Sequence, residues 1–150
     1  MKDGRFARRV FIGAGIYGLL GVLPLFFMEQ RFVEMFPPEL THPEFFYGFA
    51  GVALAWQVAF LVIGRDPVRF RPMMVPAMVE KFLYVSTLTA LWVLGRLGTG
   101  EFSVAVPDFV IGILFLVAYR RLRSAVDASG RVHDRPASLA SASRGVAERA

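Results

Sequence analysis

The chain alternates between long apolar stretches and short polar ones, and there are four of the long stretches. The first two carry no charged residue. The third is interrupted only by the adjacent Glu80 and Lys81, and the fourth has Asp108 near its start. A helix needs about 20 residues to cross the ~30 Å hydrocarbon core of a bilayer. The pattern therefore predicts four membrane-spanning helices, at about 10–28, 45–63, 73–94 and 102–119.

A soluble helical bundle is the main alternative to a membrane protein. It would need a polar outer face on each helix at a period near 3.6 residues, and the first two stretches are apolar all round. A cleaved signal peptide would be shorter than the first stretch and would end in small residues. Glu29, Gln30 and Arg31 follow it instead. The sequence favours an all-α integral membrane four-helix bundle over residues 10–120.

Lysine and arginine are unevenly distributed among the five polar segments. Four lie in the N-terminal segment 1–9, one in the first connection, three in the second, one in the third, and three just after the fourth stretch. Cytoplasmic segments retain such residues. We therefore expect a multi-pass membrane protein with both termini cytoplasmic and the two connections poor in basic residues facing the periplasm or the cell exterior. The side chains expected to contact lipid headgroups are Arg65, Arg69, Arg71, Arg120, Arg121 and Arg123.

The segments outside the spans indicate no further folded unit. The tail, 121–150, is rich in Ala, Ser and Arg without apolar periodicity, which predicts a disordered cytoplasmic segment. Beyond Arg123 it carries four Arg against three acidic residues, too small an excess to predict binding of nucleic acid. In the first connection, 31–36 fits either a short interfacial helix or a polar loop. The expected partners are the bilayer itself and a second copy or another membrane protein.

The residue types present exclude several classes of site. The chain has no Cys and two His, so a thiolate metal site, a disulfide and a Cys nucleophile are excluded, and a His-based metal site is not indicated. Zinc-protease, phosphate-loop, serine-hydrolase and haem-attachment motifs do not occur in it. We therefore predict no catalytic residue, metal or cofactor, and the sequence does not favour an enzyme.

Four polar side chains within the spans form a predicted layer: Tyr17, Gln57, Glu80 and Lys81. Counted along each helix, Tyr17 and Gln57 lie roughly 12 Å from the cytoplasmic ends. Glu80 lies at a similar depth if its helix starts at Arg71, and at about half that depth if the helix starts at Pro76. A short connection joins the second and third spans, which predicts antiparallel neighbours and a Gln57–Glu80 hydrogen bond. Ionisable groups in a membrane are candidates for function.

Two interpretations of the Glu80–Lys81 pair remain open. In the first, both lie near the cytoplasmic interface, where Lys81 extends to the surface and Glu80 pairs with Arg65, Arg69 or headgroups. In the second, Glu80 lines a small polar pocket that binds a substrate or relays a proton.

Asp108 and His42 are expected on the opposite side of the membrane. Asp108 follows Pro107 near the start of the fourth span, where a carboxylate suits a helix N-terminus. His42 is expected in a surface loop. Were the two to meet, they would form a proton or ligand site on that side, but the sequence does not require it.

Three stretches carry a resemblance to a known family: YGFAGVALAWQ (47–57), IGRDPVRFRP (63–72) and EKFLY (80–84). In layout the chain resembles small four-span bacterial inner-membrane proteins of the DoxX-like kind, over roughly residues 10–120. The resemblance implies a compact four-helix membrane bundle. Some DoxX-like proteins are linked to quinone or thiol redox systems, and the absence of Cys here speaks against the thiol version.

Three functions fit these observations. The first is a non-enzymatic protein that acts through helix packing or as an accessory subunit. The second is a bundle that binds a small molecule or lipid, of isomerase or carrier type, through Glu80 with Gln57 and Tyr17. The third is a proton-coupled transporter that works as a dimer.

Overall fold

A computed structural model describes residues 2–35 and 42–133, which are helical apart from short turns and connections. Two 3₁₀ segments, Leu23–Phe27 and Arg71–Met73, extend the helices beside them. The α-helices are α1 (Lys2–Val22), α2 (Glu29–Met35), α3 (Pro43–Arg65), α4 (Met74–Val93), α5 (Thr99–Phe102) and α6 (Ala105–His133).

Four of the helical segments are long and apolar enough to cross a membrane. This confirms the predicted all-α fold with four spans and supports a multi-pass membrane protein. The limits differ from those predicted, because the first span begins at Lys2 and the fourth includes α5. The four segments are Lys2–Phe27, Pro43–Arg65, Arg71–Val93 and Thr99–Ala125.

Local sequence accounts for the helix ends. Pro43 occupies the first turn of α3, where its missing N–H needs no partner. After α3, the Asp66 carboxylate accepts a hydrogen bond from the Arg69 backbone N–H at 3.1 Å and fixes a turn. Gly95 follows the C-terminal end of α4 and has a φ of 68°, which only glycine adopts readily, and the Arg96 N–H returns to the Leu91 carbonyl at 2.9 Å.

Successive spans run in opposite directions. Residues 15 and 64 of the first two spans contact residues 61 and 12 of each other, an antiparallel register. Lys81 contacts Asp108, and Trp92 stacks on Phe102, so α4 and α6 are also antiparallel. We call the end of the bundle with Lys2, the Arg65–Met73 connection and Arg120 the terminal end, and the other end the loop end.

The first span lies at the centre of the packing. α1 packs along α3 and α6, and α6 packs along α4, whereas α3 and α4 touch little. The short connection after α3 therefore does not make α3 and α4 close neighbours, as the sequence had suggested. Because the two helices stand apart, space is left between them.

Three buried phenylalanines tie α1, α3 and α6 together. Phe11 stacks on Phe115 with ring centroids 4.0 Å apart. Phe60 meets Phe115 edge-on at 5.0 Å. All three side chains are fully buried. Edge and offset contacts of this kind add packing energy that does not depend on water, which suits a bundle in lipid.

Glycines allow α1 and α3 to approach closely. A Cβ at Gly15 would lie 3.0 Å from the Gln57 backbone carbonyl, and one at Gly64 would lie 3.0 Å from the Ile12 backbone nitrogen. Backbone atoms cannot give way as a side-chain tip can. Small residues at helix interfaces are the usual means of close packing in membranes.

α6 continues beyond the predicted end of the fourth span at 119. It reaches His133, so the first part of the predicted tail is helical, and 134–150 lies outside the described residues. α2 shows that 29–35 is helical, which agrees with the helix of the two alternatives for 31–36, and residue 36 lies outside the described residues.

Candidate binding site

A cavity of about 540 Å³ lies between α1, α3, α4 and α6. It starts near the middle of the spans and runs towards the loop end, in the space where α3 and α4 stand apart. Most of its wall is apolar. The apolar lining includes Val22, Leu25, Phe49, Leu88, Leu97 and Val104.

Charged side chains form the end of the cavity nearest the middle of the bundle. Lys81 lies ten residues after the start and twelve before the end of the Arg71–Val93 segment. Its Nζ is 2.9 Å from Asp108 Oδ1 and 3.5 Å from Glu80 Oε2. We call Glu80, Lys81 and Asp108 the charged cluster, and all three line the cavity.

Lys81 is held from several sides. It is only 5% exposed, and its ammonium group lies 5.4 Å from the centre of the Phe60 ring. A desolvated cation gains from the negative face of an aromatic ring. On α6, the first turn contributes Asp108, whose charge also suits the helix dipole. Helix packing therefore fixes the ammonium group in the interior.

Gln57 is the other buried polar residue beside the cavity. It is 3% exposed, and its Nε2 donates a hydrogen bond to the Ala53 carbonyl at 3.0 Å. Its Oε1 lies against Gly18 of α1, where any Cβ would overlap it. The glycine thus gives the amide oxygen room at the cavity wall, and Gly18 lines the cavity as well.

Aromatic side chains border the cavity. Phe49 of α3 and Tyr84 of α4 stack with ring centroids 6.1 Å apart, which bridges the two helices that otherwise touch little. Tyr17 also lines the cavity, although it is 54% exposed. Towards the loop end, Glu101 lines the cavity and caps α5 by accepting a hydrogen bond from the Gly98 backbone N–H.

The structure brings the predicted polar layer to one cavity but arranges it differently. Tyr17, Gln57, Glu80 and Lys81 all line the cavity. The predicted Gln57–Glu80 hydrogen bond is wrong, because Gln57 donates within its own helix. The prediction assumed that α3 and α4 are neighbours, but α3 packs on α1 and α4 packs on α6.

The expected positions of Lys81 and Asp108 need correction as well. In the first interpretation of the pair, Lys81 extends to the cytoplasmic surface and Glu80 pairs with Arg65, Arg69 or headgroups. Instead Lys81 is buried and pairs with Glu80 and Asp108.

Asp108 was placed at the far interface, but α5 and the turn before α6 belong to the fourth span and bring Asp108 deeper. The structure does not bring it to His42, whose Nδ1 lies 3.0 Å from Glu44.

The predicted headgroup arginines lie at the terminal end of the bundle. Arg69 stacks over Phe70 at 5.5 Å and Arg121 over Phe6 at 4.9 Å. Arg71 has a buried Nη1 without a hydrogen-bond partner among the residues described. The exposed members of the predicted set are Arg65, Arg69, Arg120, Arg121 and Arg123.

The residues that line the cavity are of the types found in small-molecule sites. Within 2–35 and 42–133, no group of three His, Asp or Glu side chains is placed to hold a metal ion. An apolar chamber with a few convergent polar groups at one end is the usual form of a small-molecule site. Such a chamber suits a molecule with an apolar body and one polar end.

The chain matches no family model, no curated protein and no solved structure. The DoxX-like resemblance stays a prediction.

Proposed function

We propose that this chain is a membrane protein that binds a small amphipathic molecule between its spans. One observation carries the proposal: the cavity joins an apolar chamber to a charged cluster near the middle of the spans. The ligand's apolar body would lie in the chamber, and its polar end would meet the charged cluster. The volume, about 540 Å³, lies within the ~300–1,000 Å³ typical of small-molecule sites.

The charges themselves support a role in binding. Ionisable groups inside a membrane are costly, and in most membrane proteins they mark a functional path or site. A buried ion pair is seldom more stabilising than apolar side chains of the same size. Packing alone therefore does not explain why Lys81, Glu80 and Asp108 meet beside a cavity. A polar ligand end that must be held in lipid does explain it.

We place the protein in a bacterial inner membrane with both termini in the cytoplasm. The support is the alternation of basic residues among the connections, together with four spans in which the terminal end carries most of the arginines. In this orientation the cavity runs from mid-membrane towards the non-cytoplasmic side. Its ligand would come from the outer leaflet or the space beyond it.

The test is a substitution that fills the chamber and leaves the charged cluster unchanged. Ala53 of α3 lines the cavity, whereas Ala55 on the same helix is exposed and does not. We expect Ala53→Phe to remove the bound molecule, because the added ring occupies the chamber. Wild-type and variant proteins would be extracted with their native lipids into polymer-bounded discs. Mass spectrometry would then identify the small molecules that copurify.

The control is Ala55→Phe, which makes the same chemical change on the lipid-facing side. The proposal expects one class of amphiphile to be enriched with wild type and Ala55→Phe, and lost with Ala53→Phe. If all three proteins recover the same molecules in the same amounts, the cavity is not a binding site. The accessory-subunit and dimeric-transporter interpretations stay predictions.

A further inference from the structure

We infer that the ligand's polar end is a hydrogen-bond donor that carries positive charge, such as an alkyl amine. This inference deepens the proposed function and rests on it. It follows from the acceptors and donors that the charged cluster and Gln57 leave available to a ligand.

The first observation is the balance of charge. The charged cluster holds two carboxylates and one ammonium group, so one formal negative charge is in excess. No other Lys or Arg of the described residues lines the cavity. A charge without a partner in a low-dielectric interior is strongly unfavourable. A cationic ligand end would neutralise it, whereas an anionic end would double the excess.

The second observation is an unused carboxylate oxygen. Glu80 Oε2 is fully buried and accepts no hydrogen bond from the residues that the structure describes. Its contact with Lys81 Nζ, at 3.5 Å, is an ion pair without hydrogen-bond geometry. Because Glu80 lines the cavity and its carboxylate is short of donors, a donor supplied by the ligand to this carboxylate would be favoured.

The third observation concerns Gln57. Its Nε2 is engaged by the Ala53 carbonyl, and a carbonyl can accept only from the amide nitrogen, which fixes the orientation of the side chain. Oε1 is therefore the free group, and no donor within 2–35 or 42–133 bonds to it. Gln57 is 97% buried, since only 3% of its surface is exposed, and it lines the cavity.

Among the residues that the structure describes, the one cationic side chain that lines the cavity is already engaged. Lys81 Nζ donates to Asp108, lies beside Glu80 and faces the Phe60 ring. A carboxylate or phosphate on the ligand would have to take Lys81 away from Asp108. The site thus presents acceptors to a ligand and withholds its ammonium group. That arrangement favours an amine, accommodates an alcohol less well and disfavours an anion.

The experiment compares three probes with the same apolar chain: octylamine, octanol and octanoate. Binding to the purified full-length protein would be titrated by native mass spectrometry, which counts bound molecules directly. Ala53→Phe supplies the background for non-specific uptake. We expect octylamine to bind most tightly and octanoate most weakly. Glu80→Gln should weaken octylamine about tenfold, because a charge-assisted hydrogen bond is lost, and should leave octanol nearly unchanged.

Glu34→Gln is the matched control, since Glu34 is exposed on α2 and does not line the cavity. It should leave all three affinities as in wild type. If octanoate binds as tightly as octylamine, or if Glu80→Gln leaves the preference for the amine intact, the inference fails while the cavity remains a binding site. If no probe binds wild type above the Ala53→Phe background, the proposed function itself fails. The ranking of probes on wild type decides the question even where a variant is poorly produced.

Discussion

Replacing Lys81 with Met is expected to remove most of the folded protein from the membrane. Methionine matches the length and volume of the lysine stem but leaves Glu80 and Asp108 facing each other without a cation. Breaking a buried ion pair in this way is destabilising by about 3–5 kcal/mol. Membrane abundance and the temperature at which the detergent-solubilised protein loses its monodisperse elution peak would measure the effect.

The chain supplies its own control for this substitution. Its only other lysine is Lys2, which is exposed at the terminal end. Lys2→Met removes the same charge and should leave abundance and thermal stability unchanged. Neutralising the carboxylates together with the lysine, as Lys81→Met with Glu80→Gln and Asp108→Asn, should restore much of the loss. A single Lys81→Met protein as abundant and as stable as wild type would show that the charged cluster is not buried as described.

Phe115→Ala is expected to have the next largest effect on stability. Phe115 is fully buried, stacks on Phe11 of α1 and meets Phe60 of α3, so its ring joins three helices. We expect a loss of roughly 3 kcal/mol, at the lower end of the range for Phe→Ala in soluble proteins. Lipid is as apolar as the protein core, so moving the side chain from the core to lipid contributes little to this loss. Most of the loss comes from the packing contacts that the ring no longer makes.

Phe109→Ala is the control that shows whether the loss of stability comes from the buried position of Phe115. Phe109 lies on the same helix and is 49% exposed. Its removal should change the denaturation temperature little. Equal losses from the two substitutions would contradict the packing of α6 against α1 and α3. Steric-trap or chemical unfolding in mixed micelles would give the two free energies directly.

The four spans could be predicted because their signal is local. Stretches such as 45–63 are apolar on every side, and a bilayer requires nothing more than length and composition from a spanning helix. The limits of the spans were harder to predict. Lys2 begins a helix although the first nine residues include four basic ones, and a helix that leaves the membrane need not end there.

The partners within the site could only be predicted in part, because they depend on which helices touch. Gln57, Glu80 and Lys81 were recognised as polar positions within spans, and they do line one cavity. The partner of Lys81 was missed. Its signal was present, since Asp108 is the one charged residue of the adjacent apolar stretch. The fourth span was predicted to begin at about 102, however, whereas the fourth membrane segment begins at Thr99.

The packing of α3 was missed for a related reason. A short connection suggests neighbours, but small residues at 15, 18 and 64 allow α1 and α3 to approach more closely than α3 and α4 do. Close backbone approach is a property of pairs of helices. One sequence does not reveal which pair will use its glycines.

The most direct test of the account is the accessibility of the cavity in the intact membrane. The chain has no Cys, so a single thiol can be placed at will. Ala53→Cys puts it in the cavity, and Val52→Cys puts it one residue away, on a side chain that is 62% exposed on the outer surface of the bundle.

A cationic, membrane-impermeant methanethiosulfonate reagent would be added to intact cells, with and without octylamine. The account predicts that Ala53→Cys reacts, that octylamine slows the reaction, and that Val52→Cys stays unreactive because lipid surrounds it. If the two thiols react with the reagent at the same rate, or if octylamine does not slow the labelling of Ala53→Cys, the bundle does not contain a ligand chamber.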